Sequence, residues 1–117
     1  MSKIKRGEIY FVNLDPVVGD EASKKRPCLI LQNDLGNLYS KKTIIAPFLK
    51  PNKYPFIVVV QPSKLNNLDK KRGLDLSHIR SVSMQRIGNK LGVLEDRYWE
   101  QIKQAVLLQL GFDEMFI

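Results

Sequence analysis

The chain has 117 residues, of which 44% are hydrophobic and 26% charged, a composition that excludes a disordered protein and suits one domain over residues 1–117. No segment approaches the roughly 18 apolar residues of a membrane span. No apolar run follows the basic residues at the N-terminus, so we expect no signal peptide. The single cysteine, Cys28, excludes an internal disulfide and is expected to pack as a small apolar side chain. We therefore expect a soluble cytoplasmic protein.

The net charge of +7 is unevenly distributed along the chain. Residues 1–94 hold 17 basic and 7 acidic residues, a net +10, whereas residues 95–117 hold 2 basic and 5 acidic residues, a net −3. A basic body indicates an anionic partner. Nucleic acid, an acidic protein and a membrane surface all meet that description, and simple solubility explains the charge equally well.

The first half of the chain alternates between short β-forming segments and turn-rich segments. The predicted strands cover residues 7–14, 27–32, 43–48 and 56–61. Residues 17–25 predict a mobile loop, residues 33–37 a cluster of turns, and residues 50–55 a second basic loop.

The second half begins with a polar, lysine-rich loop over residues 62–73. Residues 74–83 then alternate, with Leu74 and Arg80 on one side and Asp75 and Ser81 on the other, which predicts a fifth strand. A short segment follows at residues 90–94.

A helix ends the chain. Glu95 and Asp96 are expected to cap its N-terminus, an apolar stripe runs from Tyr98 to Leu110, and Gly111 is a suitable stop. Strands followed by one helix predict an α+β, mainly β fold, in which the helix packs on a small barrel or curled antiparallel sheet. The stripe is wide for one contact, so part of it is expected to face a second subunit.

Four segments together resemble the MazF/PemK toxins. They occur in that family's order and cover nearly the whole chain. The segments are Arg6-Gly7-Glu8-Ile9-Tyr10 continuing to residues 14–19, residues 26–34, Ile45-Ala46-Pro47 with residues 54–56, and residues 78–83 with Arg86. The resemblance implies an SH3-like barrel of the CcdB/PemK kind in a symmetric homodimer. It also implies cleavage of single-stranded RNA without a cofactor, leaving a 2′,3′-cyclic phosphate and a 5′-hydroxyl, and a cognate antitoxin whose acidic and apolar tail occupies the RNA groove.

Such cleavage needs a base for the 2′-hydroxyl, positive charge on the phosphate and a proton donor for the leaving 5′-oxygen. Arg26 fits the second role, because it joins a basic loop to a buried strand and a guanidinium matches phosphate geometry. The family's catalytic arginine falls at this position, so Arg26 is the predicted catalytic residue. The alternative is a surface arginine in a run of charge.

The chain departs from the family at the expected partner of that arginine. Relatives carry a threonine two residues after the Ala-Pro or Val-Pro pair, where this chain has Leu49, which cannot transfer a proton. Thr43 lies on the predicted third strand, where a structural role is the simpler interpretation. Some relatives use an aspartate and an arginine instead, but those positions hold Ser77 and Asp75 here. The identity of the base stays open.

Eight polar residues are predicted to contact RNA. The two lysine-bearing loops can flank one groove for a phosphate backbone. Glu21 resembles a loop acid that meets bases in relatives. His78 stands where relatives often place a glutamine that touches RNA, although a structural contact is the alternative. The predicted RNA-binding residues are Glu21, Lys24, Lys25, Lys50, Ser77, His78, Arg80 and Arg86. No group of His, Cys and acidic residues has the spacing of metal ligands, so no metal site is predicted.

Two other functions remain open at this point. Leu49 favours a family member that binds RNA or antitoxin without cutting. A toxin that acts on a protein target, as the structurally related gyrase poisons do, would use the terminal helix, where the sequence offers no specific support.

Overall fold

The computed structural model describes residues 4–113, which form seven strands and two α-helices. The strands are β1 (Glu8–Asn13), β2 (Lys25–Ile30), β3 (Lys42–Leu49), β4 (Ile57–Val60), β5 (Arg72–Asp75), β6 (Arg80–Ser83) and β7 (Ile87–Val93). The helices are α1 (Asp34–Tyr39) and α2 (Trp99–Gln109), and short 3-10 turns occupy Leu76–His78, Met84–Arg86 and Asp96–Tyr98.

The strands form an antiparallel sheet in the order β4-β5-β3-β2-β1-β7. β3 is long enough to pair with two strands in turn, with β6 through its first half and with β5 at Phe48 and Leu49. The sheet curls until the Val93 N–H donates to the Leu65 carbonyl at 3.0 Å, in the loop after β4. It is not closed. The predicted mainly β fold with a C-terminal helix is confirmed, in its curled-sheet form.

Each face of the sheet carries its own apolar cluster, because successive strand side chains point to opposite faces. The first cluster includes Ile9, Leu29 and Phe48, and α2 covers it with Ile102 and Ala105. The second cluster comprises Tyr10, Val12, Leu14, Cys28, Ile30, Ile45 and Val82, with Ala22 packed against it. The loop between β1 and β2 therefore covers part of the second face. Cys28 is fully buried there, as expected of a small apolar side chain.

The predicted turn cluster at residues 33–37 is wrong, because helix α1 begins there. The Asn33 side chain caps the helix by accepting from the Gly36 N–H at 2.7 Å. Asn37 is buried, donates to the Gln32 carbonyl at 3.0 Å and accepts from the Thr43 hydroxyl at 2.7 Å. The two asparagines had indicated a turn. In the structure, one caps a helix and the other is a buried link to β3.

The single strand predicted for residues 74–83 is also wrong. β5 ends at Asp75, whose carboxylate accepts from the Ser77 N–H at 2.9 Å and so starts the 3-10 turn Leu76–His78. A carboxylate that bonds the backbone two residues ahead competes with the strand ladder. The chain then resumes as β6 on a different part of β3. The last strand, β7, extends over seven residues and is longer than the predicted segment 90–94.

The C-terminal helix was predicted correctly apart from its start. Glu95 makes no side-chain capping bond; its carboxylate accepts from the Asn66 amide at 3.0 Å, and a 3-10 turn precedes α2. The helix ends as predicted, since Gly111 adopts φ +81° and its N–H donates to the Leu108 carbonyl at 3.0 Å. Within residues 4–113, neither helix has the length and apolar content that a membrane crossing requires.

Candidate functional site

A cavity of about 350 Å³, called the groove below, opens between the β1–β2 loop and the segment that joins β5 to β6. Its lining combines loop residues with one residue of β3 and one of β6. The lining residues are Leu14, Val18, Asp20, Glu21, Ala22, Pro47, Ser77, His78, Ile79 and Arg80. Four of the predicted RNA-binding residues therefore share one cavity: Glu21, Ser77, His78 and Arg80.

Strand register places Arg26 on the same side of the sheet as the groove. Cys28 pairs with Pro47, a groove residue, and directly opposed residues share a face. Arg26 lies two residues before Cys28 in β2, so its side chain emerges on that face. Arg80 joins the same face, because it pairs with Ile45 across β6 and β3.

Two guanidinium groups flank Cys28. Burial raises the pKa of the Cys28 thiol to about 12, and the positive charges of Arg80 and Arg26 act in the opposite direction. Arg26 is half-buried and its Nε donates to the Ser23 carbonyl at 2.9 Å. Arg80 donates from Nη1 to the Leu14 carbonyl at 3.2 Å. Each arginine is thus anchored on the loop that covers the groove.

Leu49 lies two residues beyond the end of the β2–β3 pairing, which stops at Cys28 and Pro47. The pairing of Cys28 with Pro47, continued by two residues, aligns Arg26 with Leu49. Leu49 is half-buried and lies on the Pro47 face of β3. Thr43 cannot replace the missing hydroxyl, because it is fully buried and donates to Asn37 at 2.7 Å. The position next to the arginine therefore has no group that transfers protons.

A buried carboxylate stands behind the groove. Asp75 is 8% exposed, and its Oδ1 accepts from the Ser77 N–H at 2.9 Å and from the Ser77 hydroxyl at 2.5 Å. Its Oδ2 lies 3.8 Å from Nε2 of His78, the only histidine of the chain. From the sequence, Asp75 was assigned no functional role, because it does not match the arginine that some relatives carry at this position. The Asp-x-Ser spacing, typical of a side-chain turn, was the signal that could have identified it.

The Glu21 carboxylate is hydrogen-bonded within its own loop. The Glu21 carboxylate accepts from the Val18 N–H at 2.6 Å, which closes a short turn at the edge of the groove. Asp15 fixes the other end of the loop by accepting from the Lys24 N–H at 3.0 Å. Lys24 has a positive φ of 69° at this bend. The loop is therefore held in shape by its own acidic residues.

Arg26 and the other predicted RNA-binding residues lie outside the groove lining. Lys24 is exposed on the loop. Lys25 and Arg86 line a separate depression of about 520 Å³ beside β7. Arg86 donates from Nη1 to the Asn13 carbonyl at 3.1 Å and to the Asp15 carbonyl. Lys50 is exposed at the end of β3.

The groove thus offers positive charge, a hydroxyl, an imidazole and carboxylates within one cavity. These groups can bind a phosphate diester and exchange protons with the hydroxyl groups beside it. Between residues 4 and 113, no three residues of the types His, Cys, Asp and Glu are placed to hold a metal ion.

Solved structures of two bacterial proteins share this fold. One is MazF from Deinococcus radiodurans, with a TM-score of 0.78 and 24% identity over 92% of this chain and 96% of that chain. The other is an endoribonuclease in complex with its cognate antitoxin from Mycobacterial species, with a TM-score of 0.75 and 20% identity over 94% of this chain and 97% of that chain. The fold is therefore that of the CcdB/PemK-like toxins.

Sequence comparison defines the family. The family model described as PemK-like, MazF-like toxin of type II toxin-antitoxin system matches residues 5–110. Endoribonuclease EndoA of Bacillus subtilis is 33% identical over 92% of this chain and 95% of its own length. Endoribonuclease MazF of Staphylococcus saprophyticus is 35% identical over 92% of each. The chain belongs to the PemK-like, MazF-like toxin family, which confirms the predicted resemblance.

Proposed function

We propose that residues 1–117 form one toxin domain that cuts single-stranded RNA at specific sequences without a metal ion, leaving a 2′,3′-cyclic phosphate and a 5′-hydroxyl. The family and its named relatives support a MazF-like endoribonuclease toxin of a type II toxin–antitoxin system. The proposed cleavage chemistry is supported by the placement of Arg26 and Arg80 on the groove face, where an anionic chain would lie.

In the proposed reaction, the 2′-oxygen attacks the adjacent phosphorus and the 5′-oxygen leaves. Negative charge grows on the non-bridging oxygens as the new bond forms. Arg26 stabilises that charge, since its Nε is already fixed on Ser23 and the end of the guanidinium is pre-oriented. Arg80 positions the phosphate from the opposite side of Cys28. Lys24 and Lys25 extend the positive path along the backbone.

Glu21, Ser77 and His78 are the proposed contacts to bases and sugar. They line the groove with both donors and acceptors, so they can discriminate among base edges exposed in a single strand. Lys50 stays a predicted phosphate contact outside the groove. Arg86, which donates to the Asn13 and Asp15 carbonyls, is proposed to hold the loop rather than to contact phosphate. A substrate of this kind places the protein in the cytoplasm, where messenger RNA is translated.

The second candidate is a protein that binds RNA or antitoxin without cutting. Leu49 favours it, because the position aligned with Arg26 carries no proton-transfer group. This candidate predicts normal affinity for RNA and no fragments.

The deciding experiment is incubation of the purified protein with a long RNA in excess chelator, followed by mapping of both new ends. We expect discrete cuts with a 2′,3′-cyclic phosphate on one fragment. Arg26→Ala should abolish them, whereas Lys70→Ala, which removes the same charge from an exposed loop, should cut normally. Binding without fragments across many sequence contexts would favour the second candidate.

A cognate antitoxin is the second proposed partner. The mycobacterial structural neighbour is described in complex with its cognate antitoxin. A tail that is both acidic and apolar would complement the arginines and the apolar residues of the groove, among them Leu14 and Pro47. Such a tail should compete with RNA for wild-type protein, and competition should weaken in Arg80→Ala.

A homodimer is the third element of the proposal. Helix α2 covers only part of the sheet face on which it packs. An apolar depression of about 630 Å³ lies between the helix and the uncovered part of the sheet. Its lining includes Leu31, Ile44, Val106 and Leu110, of which Ile44 is 37% and Leu110 is 59% exposed. An exposed patch of this kind is typical of an interface. Sedimentation analysis should give twice the mass of one chain, and Ile44→Lys should lower it.

A further inference from the structure

We propose that His78, with the Asp75 carboxylate beside it, is the general base that accepts the 2′-hydroxyl proton, in place of the hydroxyl side chain that is absent at Leu49. The inference rests on the proposed RNA cleavage and adds a catalytic residue to it.

The geometry places an imidazole between substrate space and a buried charge. His78 lines the groove, and its side chain is 27% exposed, so one part of the ring meets the cavity. Nε2 lies 3.8 Å from an Asp75 carboxylate oxygen, which is beyond hydrogen-bond distance but close enough for charges on the two groups to interact. A carboxylate at this distance stabilises the imidazolium that forms when the ring accepts a proton.

Asp75 is itself fixed, which makes it a suitable positioning residue. Its other oxygen is held by the Ser77 N–H and hydroxyl, so the carboxylate cannot rotate freely. The same hydrogen bonds build the 3-10 turn that ends at His78. The backbone of this turn therefore fixes the positions of Asp75 and His78 relative to each other.

The surroundings supply charge of both signs to the histidine. Asp20 and Glu21 line the groove from the β1–β2 loop, and Arg80 lines it from β6. Leu14, just after β1, and Pro47 of β3 contribute apolar surface. Glu21 already accepts from the Val18 N–H, whereas the Asp75 carboxylate lies 3.8 Å from the ring.

The proton balance of the step is simple. Neutral His78 takes the 2′-hydroxyl proton as the bond from the 2′-oxygen to phosphorus forms and the bond from phosphorus to the 5′-oxygen breaks. Water protonates the leaving 5′-oxygen, and the imidazolium then returns its proton to the hydroxide that remains. Arg26 and Arg80 balance the charge on phosphate during the step. No further reactant is consumed.

The test compares cleavage rates and affinities of the full-length wild type, His78→Gln and Asp75→Asn. Rates are measured at saturating protein on a mapped RNA site from about pH 5 to 8, the range in which histidine changes charge. Affinity is measured on the same RNA carrying a 2′-O-methyl group at the cut. Glutamine keeps a polar contact to RNA, and asparagine keeps the acceptor for Ser77, so both variants are designed to fold. Thermal unfolding checks that they do.

We expect His78→Gln to cut roughly 100-fold or more slowly, with affinity changed by less than about threefold. The wild-type rate should fall on the acid side, and that fall should disappear in His78→Gln. Asp75→Asn should slow cutting and change the pH at which the cleavage rate falls on the acid side. An affinity loss with an unchanged saturating rate, or a slower His78→Gln that keeps the wild-type pH profile, would overturn the inference alone. A wild type that cuts no RNA would overturn the proposed function, and the inference with it.

Discussion

Arg86 offers a test that separates a structural contact from a contact to RNA. Its guanidinium donates to the carbonyls of Asn13 and Asp15, where β1 passes into the loop that covers the groove. The sequence predicted Arg86 as an RNA ligand, whereas its observed bonds hold this loop in place. Arg86→Ala should therefore reduce stability and loosen the groove.

The size of the effect follows from the two bonds. A hydrogen bond from a charged donor contributes about 1.5–3 kcal/mol when buried. Arg86 is half-buried and water can replace part of each bond, so we expect a total loss of about 1–2 kcal/mol. In a domain of this size, that loss lowers the melting temperature by roughly 4–10 °C.

The assay measures melting temperature and the salt dependence of RNA affinity in Arg86→Ala and Lys25→Ala. Lys25 lines the same depression but is exposed, so it is the matched control. Removing one bond to a phosphate of single-stranded RNA reduces the slope of log affinity against log salt by about 0.7. We expect this reduction for Lys25→Ala and an unchanged slope for Arg86→Ala. An Arg86→Ala protein with normal stability and a reduced slope would refute the structural role of Arg86.

Three further substitutions test the site and the fold. Leu49→Thr should raise the cleavage rate by about tenfold in single-turnover assays, because it places a hydroxyl beside the catalytic arginine; an unchanged rate would show that this position is not part of the site. Burial raises the pKa of Glu8, but its bonds to Lys90 (2.6 Å) and nearby groups outweigh burial and lower it. Glu8→Gln should therefore cost about 1 kcal/mol at pH 7, and the difference should shrink in unfolding curves as the pH falls through the lowered pKa of Glu8. In urea titrations, Gly92→Ala should lower the free energy of unfolding by about 1–3 kcal/mol, since the added Cβ would lie 2.5 Å from the Leu65 carbonyl oxygen. A wild-type free energy of unfolding would contradict this packing.

The sequence predicted the strands well where burial and pattern agree. β1 to β4 were recognised because β-forming residues are bounded by turn residues, and α2 because its apolar stripe is long. α1 was missed because Asn33 and Asn37 occur in turns and in caps alike, and only the contact with Thr43 distinguishes the two. The break at Asp75 was missed because an alternating pattern does not reveal a side chain that bonds its own backbone.

The candidate site was only partly predictable, for a similar reason. Arg26 and the groove residues were selected through family resemblance, and strand register is what relates Arg26 to Leu49. Which residues share a cavity depends on how the β1–β2 loop folds over the sheet. Lys50 and Arg86 illustrate this, because the sequence around a basic residue does not show which groove its side chain faces. Asp75 gained its proposed role only from its distance to His78.

In the proposed reaction in the groove, the 2′-hydroxyl of RNA is the nucleophile and no metal ion takes part. The most direct measurement uses a short RNA with the mapped site and its twin carrying a single 2′-deoxy sugar at the cut, both in excess chelator. We predict that the RNA is cut to a 2′,3′-cyclic phosphate, while the twin binds with similar affinity and stays intact. Cleavage of the deoxy twin, or loss of all cleavage on chelation, would contradict the account.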